Sequence, residues 1–444
     1  MKKIDRRAFL ATTGLAAGAA ALPLNTINAK SYIDGSDVIK VGLIGCGGRG
    51  TGAAAQALSS KQNIQIVAMA DAFEDRLEKC YKALTDEEFT DWSTGKVIDM
   101  RAKVSVTAES KFVGFDAYKK VIEMCDVVLI ATPPGFRPIH FEAAVEAGKH
   151  VFMEKPLAVD GPGVRKVLAA AEIAKSKKLN VVVGLQRHYQ DIYLKWVDML
   201  HGGAIGDIRT ARVYWNGAGV WVRPRTPEQT EMEYQMRNWY YFNWLCGDHI
   251  NEQHIHNLDV GNWVMKDYPA QVSGMGGRQV RTGKDHGEIY DHHFLEYEYA
   301  NGARMFSQCR HIKGTQNRVS EAFEGTNGSA PAPGKIMTPS GYALLDYDKK
   351  GDRNPYQVEH DELFAAIAKG EYKFEDATNG AKATLTAVMG RMASYTGQVV
   401  TWDDALNSQQ DLSPSSYAWD ANPPVMPNAD GYYPIAMPGK TKIV

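Results

Sequence analysis

The sequence predicts an α/β protein in two parts: a doubly wound parallel sheet first, then an α+β domain carrying a large, mostly antiparallel sheet. Three observations predict it. Short β-branched runs alternate with helical apolar spacing between Val38 and Pro156, a glycine turn joins the first run to the first helix, and after residue 180 apolar and polar residues alternate on either side of Asn301-Gly302.

Taken in order, Val38 to Ile44 is a strand that runs into Gly45-Cys46-Gly47-Gly48-Arg49-Gly50, and the Ala-rich stretch 53–58 after it is helical. Ile64 to Ala70 is the next strand and ends at Asp71. Val127 to Ala131 ends in Thr132-Pro133-Pro134, and Val151 to Met153 ends in Glu154-Lys155-Pro156. Phe73 to Leu84, Tyr118 to Met124 and His140 to Ala147 carry helical spacing between them. Val181 to Val183, Ile208 to Trp215, Ala270 to Val272, His293 to Tyr299, Ala303 to His311 and Arg318 to Glu324 read as strands. Ile192 to Leu200, His360 to Lys369 and Ala381 to Tyr395 read as helices. The expected division is a leader at 1–29, a nucleotide domain at 37–156, a substrate and assembly domain at 157–404, and an irregular tail or subunit arm at 405–444.

At 444 residues, the chain is long enough for two or three domains. Its 44% apolar and 23% charged residues are those of a globular chain, and 50 Lys plus Arg against 52 Asp plus Glu leave no basic field for nucleic acid or acidic lipid. Five scattered cysteines without a C-x-x-C pair argue against a disulfide framework and a cysteine zinc site. At the N-terminus, Lys2, Lys3, Arg6 and Arg7 precede a weakly apolar stretch from Phe9 to Leu24. That is a signal-peptide layout, and Asp5-Arg6-Arg7-Ala8-Phe9-Leu10 resembles the twin-arginine export motif, a general secretion signal being the alternative. The expectation is therefore a periplasmic or otherwise exported protein, carried by the twin-arginine machinery and without a membrane anchor.

Gly45-x-Gly47-x-x-Gly50 between strand and helix, with an acid 21 residues on, is the arrangement that binds a dinucleotide. Glycines let the backbone approach the diphosphate at the helix start, and Asp71 accepts the ribose hydroxyls. A carboxylate there repels a 2'-phosphate, which favours NAD(H) over NADP(H). Gly48, Arg49, Thr132, Pro133, Glu154 and Lys155 complete the expected cofactor wall. Lys155 can bond a substrate hydroxyl and stabilise a developing alkoxide, or be an exposed lysine before a proline.

The densest polar run is Gly247 to Asp259. If it is one helix, Glu252, His256 and Asp259 share a face, and a carboxylate would fix the tautomer of His256 and raise its basicity. His249, Glu252 and His256 also share a face, but no HExxH motif or cysteine partner supports a metal, and none is expected. The aromatic run Trp239 to Trp244, interleaved with Arg237, Asn238 and Asn243, suits a sugar ring, while Trp215 reads as core. Arg187, Trp239, Tyr240, Asn243, His254 and Asp259 are the expected substrate contacts.

Together the glycine turn, Asp71, T-P-P, E-K-P at Glu154 to Pro156 and H-x-x-D at His256 and Asp259 resemble the Gfo/Idh/MocA family of glucose-fructose oxidoreductase and inositol dehydrogenase relatives, from about Val38 to Gln398. The resemblance implies that Lys155 and His256 are the catalytic pair, assisted by the acid four residues earlier. Many members have Asp there and this chain has Glu252; His254 stands where glycine is common. The implied activity is hydride transfer between a sugar hydroxyl carbon and tightly held NAD. A glycosidase working by transient oxidation and a non-catalytic sugar-binding protein are the alternatives. A homo-oligomer packed sheet to sheet is expected.

Overall fold

Ile39–Ile44 (β1), Ile64–Asp71 (β2), Lys111–Val113 (β3), Val127–Ile130 (β4), His150–Met153 (β5) and Val181–Val183 (β6) form a parallel six-stranded sheet in the order β3-β2-β1-β4-β5-β6. The computed structural model describes residues 37–86, 88–91 and 94–442, so the leader read at 1–29 lies outside the described residues. Successive side chains of a strand point to opposite faces. Val41, Leu43, Val127, Leu129, Phe152 and Val182 accordingly enter one core, and Val128, Ile130, Val151, Met153, Val181 and Val183 the other. Burial on both faces explains the near-continuous β-branched runs. Because β6 adds to this sheet, the chain beyond the expected boundary at residue 156 returns to the nucleotide domain before leaving it.

Ile208–Gly217 (β7), Gln271–Gly277 (β8), His292–Glu298 (β9), Arg304–His311 (β10), Arg318–Gly325 (β11), Ser329–Ala330 (β12), Lys335–Met337 (β13), Ala343–Asp346 (β14) and Val400–Thr401 (β15) build the second sheet, ordered β14-β13-β12-β11-β7-β10-β9-β8-β15. Only the β7–β10 pairing is parallel. The Asn301-Gly302 turn closes the β9–β10 hairpin as expected, with Glu298 opposite Arg304 and Gly302 at φ +80°.

Helix Gly48–Ser59 (α1) leaves the glycine turn, and Asp248–Glu252 (α2) and Ile255–Met265 (α3) carry the polar run. The single helix considered for residues 248–259 is therefore two, broken at Gln253 and His254. Asp376–Thr396 (α4) is rich in small residues; its Gly380 meets Leu157 and Val183, and its Gly390 meets Leu295 and Tyr297. One hydrophobic core thus runs from the first sheet into the second, which fixes the domains against each other. From Ser408 to residue 442 the chain has neither helix nor strand, yet it is tied down along its length. Leu412 N–H donates to Asp160, Gln235 to the Val425 carbonyl, Tyr290 to the Ala436 carbonyl and Gly439 N–H to the Thr396 carbonyl, all at 2.7–2.8 Å. No helix among the described residues is long and apolar enough to cross a membrane.

Candidate active site

A cleft of about 540 Å³ opens at the carboxyl ends of β1, β2, β4, β5 and β6 and is walled on its far side by the second domain. Ligands bind at this edge of an open α/β sheet because the strand order reverses there, here between β1 and β4. Gly45 has φ +95°, a conformation side chains resist, and a Cβ on Gly50 would lie 1.8 Å from the Gly45 carbonyl oxygen. Gly50 is therefore a packing glycine under the turn, not part of the cleft wall. Gly47 and Gly48 do line it, and a Cβ on either would meet nothing within 4 Å. Gly47 caps α1 without a side-chain hydrogen bond, so this bare helix start is open to a diphosphate.

Asp71 ends β2 on the same wall. Its two oxygens accept from the N–H groups of Cys46, at 2.7 Å, and Phe73, at 2.9 Å, and burial raises its pKa. Each oxygen keeps a further lone pair for a ribose hydroxyl. Phe73, Arg76 and Phe115 line the cleft beside it, and the tail presses on this end from behind: the Trp419 ring lies 4.5 Å from Phe115 and 5.0 Å from Phe73. The residues present thus fit a dinucleotide, with its adenosine end toward Asp71.

At the other end stand Thr132, Pro133, Glu154, Lys155, Trp215, Trp239, Glu252, Gln253 and His256. Glu154 and Arg49 bond one another, and Arg49 also reaches Glu359 at 3.2 Å and Gln56 at 3.0 Å. Arg137, buried beneath the turn, donates to the Ile130 carbonyl at 3.0 Å and the Pro156 carbonyl at 3.3 Å, which ties the T-P-P and E-K-P turns together. Lys155 Nζ donates to the backbone carbonyl of Glu252 and to its carboxylate, 3.0 Å away, in an ion pair about one-seventh exposed. His256 is buried by its residue surface, stacks on Trp215 with ring centroids 6.0 Å apart, and holds its pKa well below the ordinary histidine value. Burial is the main cause, and the charges of Lys155, Arg187 and Arg49 add to it.

Several expected contacts lie elsewhere. Neither Glu252 nor Asp259 supports His256: the helix break parts Glu252 from it and Glu252 pairs with Lys155, while Asp259, on the same helix as His256, is taken by His188 at 2.7 Å and Asn379 at 3.1 Å. Arg187 is buried in an ion pair with Glu321. His254 is fully buried against Ser307 Oγ at 2.8 Å, so it does not narrow the cleft. Asn243 is held by Glu288 and Tyr395, and Tyr240 forms a second layer behind Trp221 and Trp239. The grouping of His249 with Glu252 and His256 does not form either, since His249 bonds Asp248 and is absent from the cleft wall. Trp215 packs against the core as expected and also lines the cleft, and Phe73, Arg76, Phe115, Arg137, Gln186, Gln253 and Tyr356 join the wall without having been expected. No local spacing marks these residues; only the two aromatics, next to a glycine and an acid at strand ends, carry a sequence hint.

A glycine cradle at a helix start, an acid on the neighbouring strand and a lysine with a neutral imidazole at the far end define a dinucleotide-dependent oxidoreductase. Residues 39–185 match the family description "Oxidoreductase family, NAD-binding Rossmann fold", and residues 193–330 match "GFO/IDH/MocA C-terminal domain". The chain belongs to the Gfo/Idh/MocA family and binds NAD. It is 28% identical over 277 residues to inositol 2-dehydrogenase of Pseudomonas fluorescens, covering 59% of this chain and 74% of that one. Among solved structures it shares its fold with aldose-aldose oxidoreductase from Caulobacter crescentus (TM-score 0.62, 16% identity, 82% of this chain and 100% of that one). A second is scyllo-inositol dehydrogenase from Lactobacillus casei with bound NAD(H) and scyllo-inositol (TM-score 0.60, 17% identity, 82% and 99%).

Proposed function

We propose that the protein oxidises a ring hydroxyl of a cyclic polyol or sugar, passing hydride from the carbinol carbon to nicotinamide C4. The Lys155–Glu252 pair carries this reading, since it fixes an amine in the wall that the T-P-P turn and His256 also line, in a cleft with aromatic walls. NAD supplies the hydride acceptor. Lys155 donates a hydrogen bond to the substrate oxygen as negative charge grows there, and Glu252 aims the amine. His256, neutral and facing Trp215, takes the hydroxyl proton. Trp215, Trp221 and Trp239 offer flat faces to the ring, and Arg223 and Gln253 offer donors to its other hydroxyls.

The relative cited above is an inositol 2-dehydrogenase, and the likeness spans 74% of that protein, which supports a cyclic polyol over an acyclic substrate. The test is a panel of inositols, aldoses and glycosides added to the purified, NAD-loaded protein while nicotinamide reduction is followed. Reduction by a cyclic polyol or sugar supports the reading. Release of an aglycone with no net reduction would assign the redox-neutral glycosidase chemistry instead, and no response to any compound would leave a binding protein. The leader read at residues 1–29 supports export of the folded, loaded protein. The exposed Met275, Phe294 and Val319 on the second sheet support packing against another copy, which a monomeric mass by light scattering would contradict.

Because His256 is held neutral, falling pH should not disarm it near the usual histidine value. Protonation, and with it loss of the base, begins only well below about 6.5. The expected kcat/KM for oxidation stays level from pH 8 to 6. An acid limb centred near 6.5 that vanishes in His256→Gln would contradict this.

A further inference from the structure

Away from the cleft wall, a second cluster of ligating side chains is left unused by hydride transfer. His293 and Cys309 stand opposite each other in the β9–β10 ladder, and His249 reaches them from α2. One donor atom from each lies within 4.8 Å of the other two, and all three residues are buried. On each imidazole Nδ1 is already engaged: His249 Nδ1 lies 2.7 Å from Asp248 Oδ1, and His293 Nδ1 lies 2.9 Å from Ser394 Oγ.

Asp248 accepts from three donors, the His249 N–H at 2.5 Å, the Tyr290 N–H at 2.9 Å and the Tyr395 O–H at 2.6 Å, so this carboxylate is an acceptor. His249 must then carry its proton on Nδ1, which leaves Nε2 as a bare lone pair. That atom has no hydrogen-bond partner, and Nε2 of His293 has only the Asp248 carboxylate, 3.4 Å away. Buried acceptors without partners are rare, and a lone thiol, with one weak S–H donor, could serve only one of them. An imidazole whose Nδ1–H is fixed by a carboxylate or hydroxyl, leaving Nε2 free, is the arrangement that orients metal-ligating histidines. The neighbouring cation, Arg281, is spent on the Tyr290 carbonyl and His311 Nδ1, each 2.6 Å away, and keeps only a 3.5 Å contact with His249 Nδ1.

We propose that His249, His293 and Cys309 bind one zinc ion. Two imidazoles and a thiolate are a borderline-soft donor set that suits tetrahedral zinc. Asp248 is the adjacent anion; its Oδ2 also accepts from Tyr290 N–H at 2.9 Å and Tyr395 O–H at 2.6 Å, and it offers the fourth ligand if Tyr395 yields. On binding, the Cys309 thiol loses its proton to solvent and a zinc–sulfur bond forms; no electron moves. The ion would pin α2 to the β9–β10 hairpin. That helix ends in Glu252, and His311 on the same hairpin holds Gln253 at 2.7 Å, so the site would brace one wall of the catalytic cleft.

The test is elemental analysis of the full-length protein from zinc-supplemented medium. About one zinc per chain is expected in the wild type, with loss of at least nine-tenths of it in His293→Gln and in Cys309→Ser. Replacement by Co²⁺ should give a thiolate-to-cobalt absorption band in the wild type, which keeps the proposal testable should either variant fail to fold. A chelated wild-type protein that takes up no Zn²⁺ and shows no cobalt–thiolate band would overturn the proposal. So would zinc that persists undiminished in both folded variants.

Discussion

Lys155→Ala should lower kcat by about 100- to 1,000-fold, the usual cost of removing a donor aimed at a developing oxyanion. It should do so with NAD still bound, because the glycine turn and Asp71 sit at the other end of the cleft. The substitution also strands Glu252, whose carboxylate loses its ion-pair partner, so Glu252→Gln in the Lys155→Ala background should cost little more. Interactions that act as a unit are not additive. Steady-state kinetics beside a fluorescence titration of NAD separates the two effects. Turnover close to wild type would remove Lys155 from the mechanism, and loss of NAD along with turnover would make it a cofactor ligand first.

Gly47→Val should do the reverse. A Cβ there meets nothing within 4 Å, and the backbone is already extended at φ −72°, ψ −178°, so valine adds no backbone strain and the melting temperature should stay near that of the wild type. Its methyl groups would instead occupy the space over the start of α1 where the diphosphate must approach. Filling a close contact costs about 1–3 kcal/mol, and at about 1.4 kcal/mol per tenfold the upper end weakens NAD binding by roughly 100-fold. Gly50→Ala is the control, because its Cβ would strike the Gly45 carbonyl and the loss should appear as instability whether or not NAD is present. Unchanged NAD affinity in a folded Gly47→Val would place the diphosphate elsewhere.

The contrast between these glycines was only partly legible in the chain. Spacing announced the turn, and the strand-helix alternation around it announced the parallel sheet, because both are local: period and turn chemistry act over a few residues. The acid at Asp71 and the E-K-P turn were legible for the same reason. The wiring of the site was not, since it depends on pairs brought together only by the fold. Lys155 and Glu252 are 97 residues apart and Arg187 and Glu321 are 134 apart, while Asp259 finds His188 across 71.

The reading of residues 248–259 shows where local reasoning fails. Helical spacing put Glu252, His256 and Asp259 on one face, but the chain breaks at Gln253 and His254, where His254 is drawn into the second sheet by Ser307, which parts Glu252 from the other two, and Asp259, still one turn from His256, is taken by His188. Tertiary contacts overrode the period. A base that looked carboxylate-supported is instead an isolated, neutral imidazole, which is why the pH expectation runs opposite to the one the sequence suggests. The tail was equally opaque. Its composition reads as irregular, and it is, but its Trp419 and Tyr417 pack behind the cleft against Phe73, Phe115 and Phe136.

The account turns on direct transfer between a ring carbon and the nicotinamide in this cleft. The purified protein would be incubated with NAD⁺ and with myo-inositol or glucose deuterated at every carbon, and the dinucleotide analysed by mass spectrometry and NMR. Deuterium on nicotinamide C4, appearing far more slowly in Lys155→Ala and in His256→Ala, is the expected result. Substrate consumed by the folded, NAD-loaded protein with no label ever reaching C4 would contradict it.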